Sequence, residues 1–206
     1  MAPRPSPFYF LIGAVSLPIM RLLLRPKTSG LANVPREGGF VLAANHVSNF
    51  DPWAVGVPLF PWRFLRFMGK SELFWFPLGP IIEAGGAFKV RRGQADTEAI
   101  ATAARLAREG HAVVMFPEGT RRRKGLVKKW QPRAHTGAAR IALDAGVPLI
   151  PAAIKGTDTL RKLGPLRVAY GAPVRLDDLS DRDPREAAQE ATDRLMAEIA
   201  RLEESL

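Results

Sequence analysis

Short apolar runs alternating with alanine-rich helical stretches predict an α/β fold: a single domain with a mixed, largely parallel sheet flanked by helices, preceded by an N-terminal membrane-associated helical segment. Three observations carry that expectation. Residues 40–44, 112–116 and 147–154 are apolar runs of strand length. Residues 94–109, a stretch around 134–145 and the segment from Asp183 onward read as helices set between and after them. The chain has 206 residues, which suits one domain that buries a sizeable core without staples.

Taken in order, residues 5–20 carry no charge, and the apolar part FYFLIGAVSLPIM is followed by Arg21, Arg25 and Lys27. A bilayer-spanning helix needs roughly 20 apolar residues. This run is shorter and contains Pro18, so the expectation is a helix lying in the membrane interface with its cations at headgroup level. An ordinary core helix is the competing reading. A cleaved signal peptide fits less well, because the positive charge follows the apolar stretch and no small-x-small site comes after it. Pro26, Gly30, Pro35, Gly38 and Gly39 mark residues 26–39 as a linker. Residues 40–44 form a buried strand running into Asn45-His46, and Asp51-Pro52 opens a helix with an Asx-type cap and a first-turn proline.

Residues 53–88 interleave Trp and Phe with Arg63, Arg66 and Lys70, a composition that suits either a core or an interfacial surface. Residues 86–92 (GAFKVRR) read as a strand ending in arginines. The helix over 94–109 ends at Gly110, and the strand over 112–116 leads into FPEGTR and the basic loop RRRKGLVKK at 121–129. A helix near 134–145 ends at Gly146, before strands at 147–154 and 167–170. Asp183-Pro184-Arg185-Glu186 begins the last helix, whose apolar face is Ala187, Ala191, Leu195, Ile199 and Leu202.

Composition narrows the function classes. With 47% apolar and 24% charged residues, disorder is excluded as the main state. The lack of cysteine excludes disulfides, thiolate metal sites and a cysteine nucleophile, and three histidines in unrelated contexts argue against structural zinc. The net charge of +10 is uneven: residues 1–140 hold 21 basic and 8 acidic side chains (+13), residues 141–206 hold 9 and 12 (−3). Such a basic part faces phosphate, whether of nucleic acid, an anionic bilayer or a phosphorylated substrate.

Two short segments can carry chemistry. In NHVSNFD, His46 can take a proton from a hydroxyl near neutral pH while Asp51 fixes its tautomer. Ser48 lies close by, but GxSxG is absent, so a serine-hydrolase elbow has no support. Gly69-Lys70-Ser71 resembles the end of a P-loop, yet Phe64 stands where its first glycine belongs. A base without a protein nucleophile activates a substrate hydroxyl or water directly. In Phe116-Pro117-Glu118-Gly119-Thr120-Arg121, glycine permits close backbone approach to a ligand, and Arg121 offers a fork suited to phosphate.

Over roughly residues 30–155 the chain resembles the 1-acylglycerol-3-phosphate acyltransferase family of glycerolipid acyltransferases. Asn45-His46-x-Ser48-x-x-Asp51 matches the family's first block, Gly86-x-Phe88-x-Val90-x-Arg92 the second, Phe116 to Arg121 the third, and Val147-Pro148-Leu149-Ile150-Pro151 the fourth. Two positions depart from the pattern: Arg91, where an acidic or small residue is common, and His135, where lysine is common.

The resemblance implies acyl transfer from acyl-CoA or acyl-carrier protein to the hydroxyl of lysophosphatidic acid, giving phosphatidic acid. His46 is then the general base and Asp51 its orienting partner. Arg92 and Arg121, with Arg91, hold the acceptor phosphate; Glu118, Gly119 and Thr120 shape the glycerol site. Backbone N–H groups near the start of the helix at Asp51 are the expected oxyanion donors. No metal and no cofactor is implied beyond the acyl donor as co-substrate. On this reading residues 1–29 are the membrane-associated segment and 30–206 the catalytic domain, resting on anionic lipid at the cytoplasmic face. RRRKGLVKK serves the donor's phosphates, the membrane, or only solvation. Sister acyltransferases acting on glycerol-3-phosphate, other lysophospholipids or lyso-aminolipids share the four blocks. A basic nucleic-acid-binding protein is the different-class alternative, and it leaves His46, Asp51 and FPEGTR without a role.

Overall fold

The computed structural model describes Pro5 and residues 7–90, 96–119, 134–162 and 164–206. Among them, seven strands form one sheet: β1 (Lys27–Ser29), β2 (Phe40–Ala44), β3 (Leu65–Lys70), β4 (Ala87–Val90), β5 (Ala112–Met115), β6 (Leu149–Lys155) and β7 (Arg167–Tyr170). Their order is β1-β7-β6-β2-β5-β3-β4. Every neighbouring pair is parallel except β6 with β7. The helices are α1 (Pro7–Ile19), α2 (Asp51–Gly56), α3 (Leu78–Ala84), α4 (Asp96–Arg108), α5 (Gly137–Ala145) and α6 (Pro184–Ser205). The expected mixed, largely parallel α/β architecture is the observed one.

β2 lies between β5 and β6 and all five of its residues are buried, as a parallel strand covered on both faces requires. Its side chains alternate between two cores. Phe40, Leu42 and Ala44 pack with Met20, Leu24, Ala54, Val55 and Leu59 on the face covered by α1 and α2. Val41 and Ala43 pack with Ala103, Ala107, Ile141, Leu195 and Ile199 on the face covered by α4, α5 and α6. The five apolar residues expected on the last helix are all buried, and Asp183 caps it by accepting from the N–H groups of Arg185 (2.9 Å) and Glu186 (3.3 Å).

Four expectations need correction. The linker over 26–39 contains β1, which pairs with β7, and a 3₁₀ turn at Leu31–Asn33. A three-residue strand of polar residues carries no hydrophobic period to read. Second, β3 and α3 occupy part of the aromatic stretch at 53–88, where no element was expected. Third, the N-terminal helix does not stop near Met20. It continues as a π-helical turn over Met20–Leu24, giving an 18-residue helical segment from Pro7 to Leu24 that is 11% buried. By length and composition alone it is long and apolar enough to cross a membrane. Neither Arg21 nor Pro18 ends it; the change to π geometry begins two residues after the proline, which lacks the N–H of a regular ladder. Fourth, Asp51 does not cap α2: the N-cap is Phe50, with no side-chain cap bond.

The aromatic stretch itself divides. Arg63 is buried, donating from Nη1 to Arg36 O (2.9 Å) and from Nη2 to Gly38 O (2.5 Å) while lying over the Phe40 ring. Phe88 is buried as well, whereas Trp75 and Phe76 are exposed. The segment α1 docks on this region through Tyr9, whose hydroxyl donates to Arg63 O (3.0 Å).

Candidate active site

The parallel strands β2, β4, β5 and β6 all end on one side of the sheet, where open α/β sheets display ligand-binding loops. The chain leaving β2 is fixed first by Asn45. Its buried amide donates to Ile154 O (2.9 Å) and to Glu203 Oε1 (2.8 Å), and accepts from Ile154 N (2.8 Å). These bonds tie the loop to β6 and to the end of α6, so His46 follows from a rigid point.

His46 Nδ1 lies 2.8 Å from Asp51 Oδ2. The same oxygen accepts the backbone N–H groups of Val47 (2.7 Å) and Ser48 (2.8 Å), and Oδ1 accepts the hydroxyl of Thr157 (2.5 Å). The Asp51 side chain is fully buried and that of His46 is 18% exposed. Because Asp51 points back into the loop to meet these donors, it has none of the reach a helix cap needs. An ionised carboxylate accepts only, which assigns the His46 proton to Nδ1 and leaves Nε2 with its lone pair. Among the described residues Nε2 has no hydrogen-bond partner.

The end of β5 supplies the second wall. The Phe116 ring stacks on the His46 imidazole, centroids 4.3 Å apart and planes 23° from parallel. Glu118 is buried, and Gly119 turns the chain with φ +67. A Cβ at Gly119 would lie 2.6 Å from the His135 ring, so glycine is required for that side chain to pack there. His135 N–H donates to Pro117 O (2.8 Å), which brings the start of α5 onto the same turn. Next to the loop that carries the histidine, and lined by its neighbours Asn45 and Val47 but not by His46 itself, a cleft of about 190 Å³ opens toward Lys155, Gly156, Asp158 and Glu203.

Of the residues singled out from sequence, His46 and Asp51 meet directly, and Glu118 and Gly119 sit on the turn that follows the ring stacked on His46. Arg91, Arg92, Thr120, Arg121 and the basic loop at 121–129 lie outside the described residues. The expectation that N–H groups beside Asp51 stabilise an oxyanion meets an obstacle: those of Val47 and Ser48 are occupied by the Asp51 carboxylate. Sequence reasoning gave no role to Asn45, Phe116 or Thr157. Asn45 and Phe116 stand inside the quoted motifs, but Thr157 is 106 residues from Asp51 and only the fold joins them.

A hydrogen-bonded His–Asp pair whose Nε2 has no partner among the described residues can accept a proton from a hydroxyl and return it to a leaving group. Known proteins resemble this chain over most of its length. The sequence profile described as Acyltransferase matches residues 25–155. A 1-acyl-sn-glycerol-3-phosphate acyltransferase from Bacillus subtilis is 32% identical over 180 residues, covering 84% of this chain and 86% of its own. A Haemophilus influenzae protein of the same description is 29% identical over 178 residues, covering 81% and 70%. The crystal structure of the 1-acyl-sn-glycerophosphate (LPA) acyltransferase PlsC from Thermotoga maritima aligns with a TM-score of 0.66 at 24% identity, covering 94% of this chain and 79% of that one, and bears on the fold.

Proposed function

This chain belongs to the acyltransferase family, and from that premise we propose that it transfers a fatty acyl group from acyl-CoA or acyl-carrier protein to the free hydroxyl of lysophosphatidic acid, forming phosphatidic acid. The observation that carries this reading is the buried Asp51 carboxylate on His46 Nδ1, with Nε2 left for a substrate.

His46 Nε2 removes the hydroxyl proton as the acceptor oxygen attacks the thioester carbonyl carbon. The C–O bond forms, the carbonyl electron pair moves onto oxygen, and Asp51 stabilises the imidazolium. Collapse of the tetrahedral intermediate breaks the C–S bond, and the thiolate leaves with the proton held by His46. Holding both substrates together replaces a covalent enzyme intermediate, so no metal or cofactor enters the scheme. Arg92 and Arg121, with Arg91, receive the acceptor phosphate; Glu118, Gly119 and Thr120 form the wall of the glycerol site. The 18-residue apolar helical segment, with Phe8, Leu11, Val15, Leu22 and Leu23 exposed, supports docking on anionic lipid at the cytoplasmic face, where acceptor and product reside.

The deciding experiment is an assay of the purified protein with a panel of lysolipids and glycerol-3-phosphate, each with acyl-CoA and acyl-carrier protein. Turnover of lysophosphatidic acid above the other acceptors supports the proposal. Preference for another acceptor assigns a sister activity, and no acyl transfer from either donor overturns the reading. Membrane fractionation adds a separate check: a wholly soluble protein with tight, salt-sensitive RNA or DNA binding would favour the nucleic-acid alternative.

A further inference from the structure

We propose that Thr157 is a positioning residue for the His46–Asp51 pair: its hydroxyl holds Asp51 Oδ1 so that Oδ2 faces the imidazole. The inference rests on the function proposed above. The Thr157 hydroxyl donates to Asp51 Oδ1 at 2.5 Å, and the residues are 2% and 0% exposed. Oδ2 meanwhile receives His46 Nδ1 and the Val47 and Ser48 N–H groups. Without Thr157, no partner of Asp51 among the described residues holds Oδ1, and the carboxylate is free to turn about its terminal bond and share its two oxygens among the same three donors.

The backbone is shaped to deliver this hydroxyl. β6 ends at Lys155, and Gly156 turns the chain with φ +99, a conformation in which a Cβ would come within 2.5 Å of Pro165 O. Thr157 then opens a 3₁₀ turn closed by Thr159, whose N–H (3.2 Å) and hydroxyl (3.2 Å) both donate to Gly156 O. The neighbouring strands β2 and β6 thus present His46 and Thr157 from adjacent ends, with Asn45 bonded across them. The chain commits a left-handed glycine and a buried hydroxyl to one carboxylate oxygen.

The test compares Thr157→Val, which keeps the shape and loses the donor, with Thr157→Ser, which keeps the donor. In Thr157→Val, kcat is expected to fall about tenfold to a hundredfold, the scale of a hydrogen bond to a charged group, while the acceptor KM changes little. Thr157→Ser restores most of that loss. A readout independent of turnover is the ¹⁵N spectrum of the imidazole nitrogens, with His46 assigned through His46→Ala. Wild type and Thr157→Ser should show one tautomer, protonated at Nδ1, and Thr157→Val a mixture. Unchanged His46 signals in folded Thr157→Val overturn the proposal, even if the wild type transfers no acyl group. Wild-type kcat in Thr157→Val, with His46→Ala inactive, overturns it while leaving the acyltransferase reading standing.

Discussion

Phe116 lies flat against His46, ring centroids 4.3 Å apart with 23° between the planes, joining the loop after β2 to the loop after β5. Asp51 fixes one edge of the imidazole and Phe116 one face, so together they leave a single orientation for Nε2. Under the proposed mechanism, Phe116→Ala loosens that orientation without removing the base. Its kcat should fall by about tenfold or more, since angstrom-scale misplacement of a reacting group is costly. Phe116→Trp, which keeps a stacking face, should retain more activity than Phe116→Ala. Steady-state kinetics of the two variants decides it, and equal activity would remove any orienting role from the ring.

His46→Ala should lower acyl transfer by about 10²-fold to 10⁴-fold, the usual contribution of a general base, with the fold intact. Asp51→Ala should lower both activity and stability. It leaves the Val47 and Ser48 N–H groups and the Thr157 hydroxyl without their acceptor in a buried site, at about 1–3 kcal/mol for each group that water does not reach. Single-turnover rates and thermal unfolding of both variants separate the two effects. Near wild-type turnover in either would sink the mechanism.

That difference between the two residues shows what was legible in the sequence. The spacing His46-x4-Asp51 announces a pair, but the Asp-Pro dipeptide also announces a helix cap, and the carboxylate serves the loop instead of the helix. Thr157 gave no signal, because its partnership is made by adjacent strands and not by neighbouring residues. The same division runs through the fold. β2, β5 and β6 are apolar, apart from the exposed Lys155 at the end of β6, because they are central and covered on both faces. β3 reads Leu-Arg-Phe-Met-Gly-Lys, which breaks the pattern for local reasons: Arg66 lies over the Phe64 ring, and the Phe74 ring occupies the space a side chain at position 69 would need. Short β1 and α3 are held by their neighbours, and no period of their own survives.

The arginines proposed to hold the acceptor phosphate can be tested from their chemistry. Arg92→Ala and Arg121→Ala should each raise the KM for lysophosphatidic acid more than that for the acyl donor, since a guanidinium fork on phosphate binds one substrate and not the other. Lysine at either position should restore the charge but only part of the binding, because the paired geometry is lost. A change confined to the donor KM would move both residues to the thioester's phosphates.

The opposite end of the sheet predicts a pH response of the fold. His111, just before β5, is buried, and its Nε2 has no hydrogen-bond partner among the described residues. Burial pushes its pKa below the ordinary 6.5, and the Arg66 and Arg63 guanidiniums push it further while Glu109 opposes them. The sign follows from proton counting. As pH falls through about 6.5 the unfolded chain takes up this proton first, so the folded state loses stability until its own His111 is protonated; above that pH both forms are neutral and the contribution is constant. The wild-type protein should therefore lose more stability between about pH 7.5 and about pH 5.5, a window above most carboxylate titrations, than His111→Gln does. Denaturant midpoints of the two proteins at the two pH values check this. Equal losses would mean that protonating His111 costs the folded state nothing, and that the cations of Arg63 and Arg66 are screened from it.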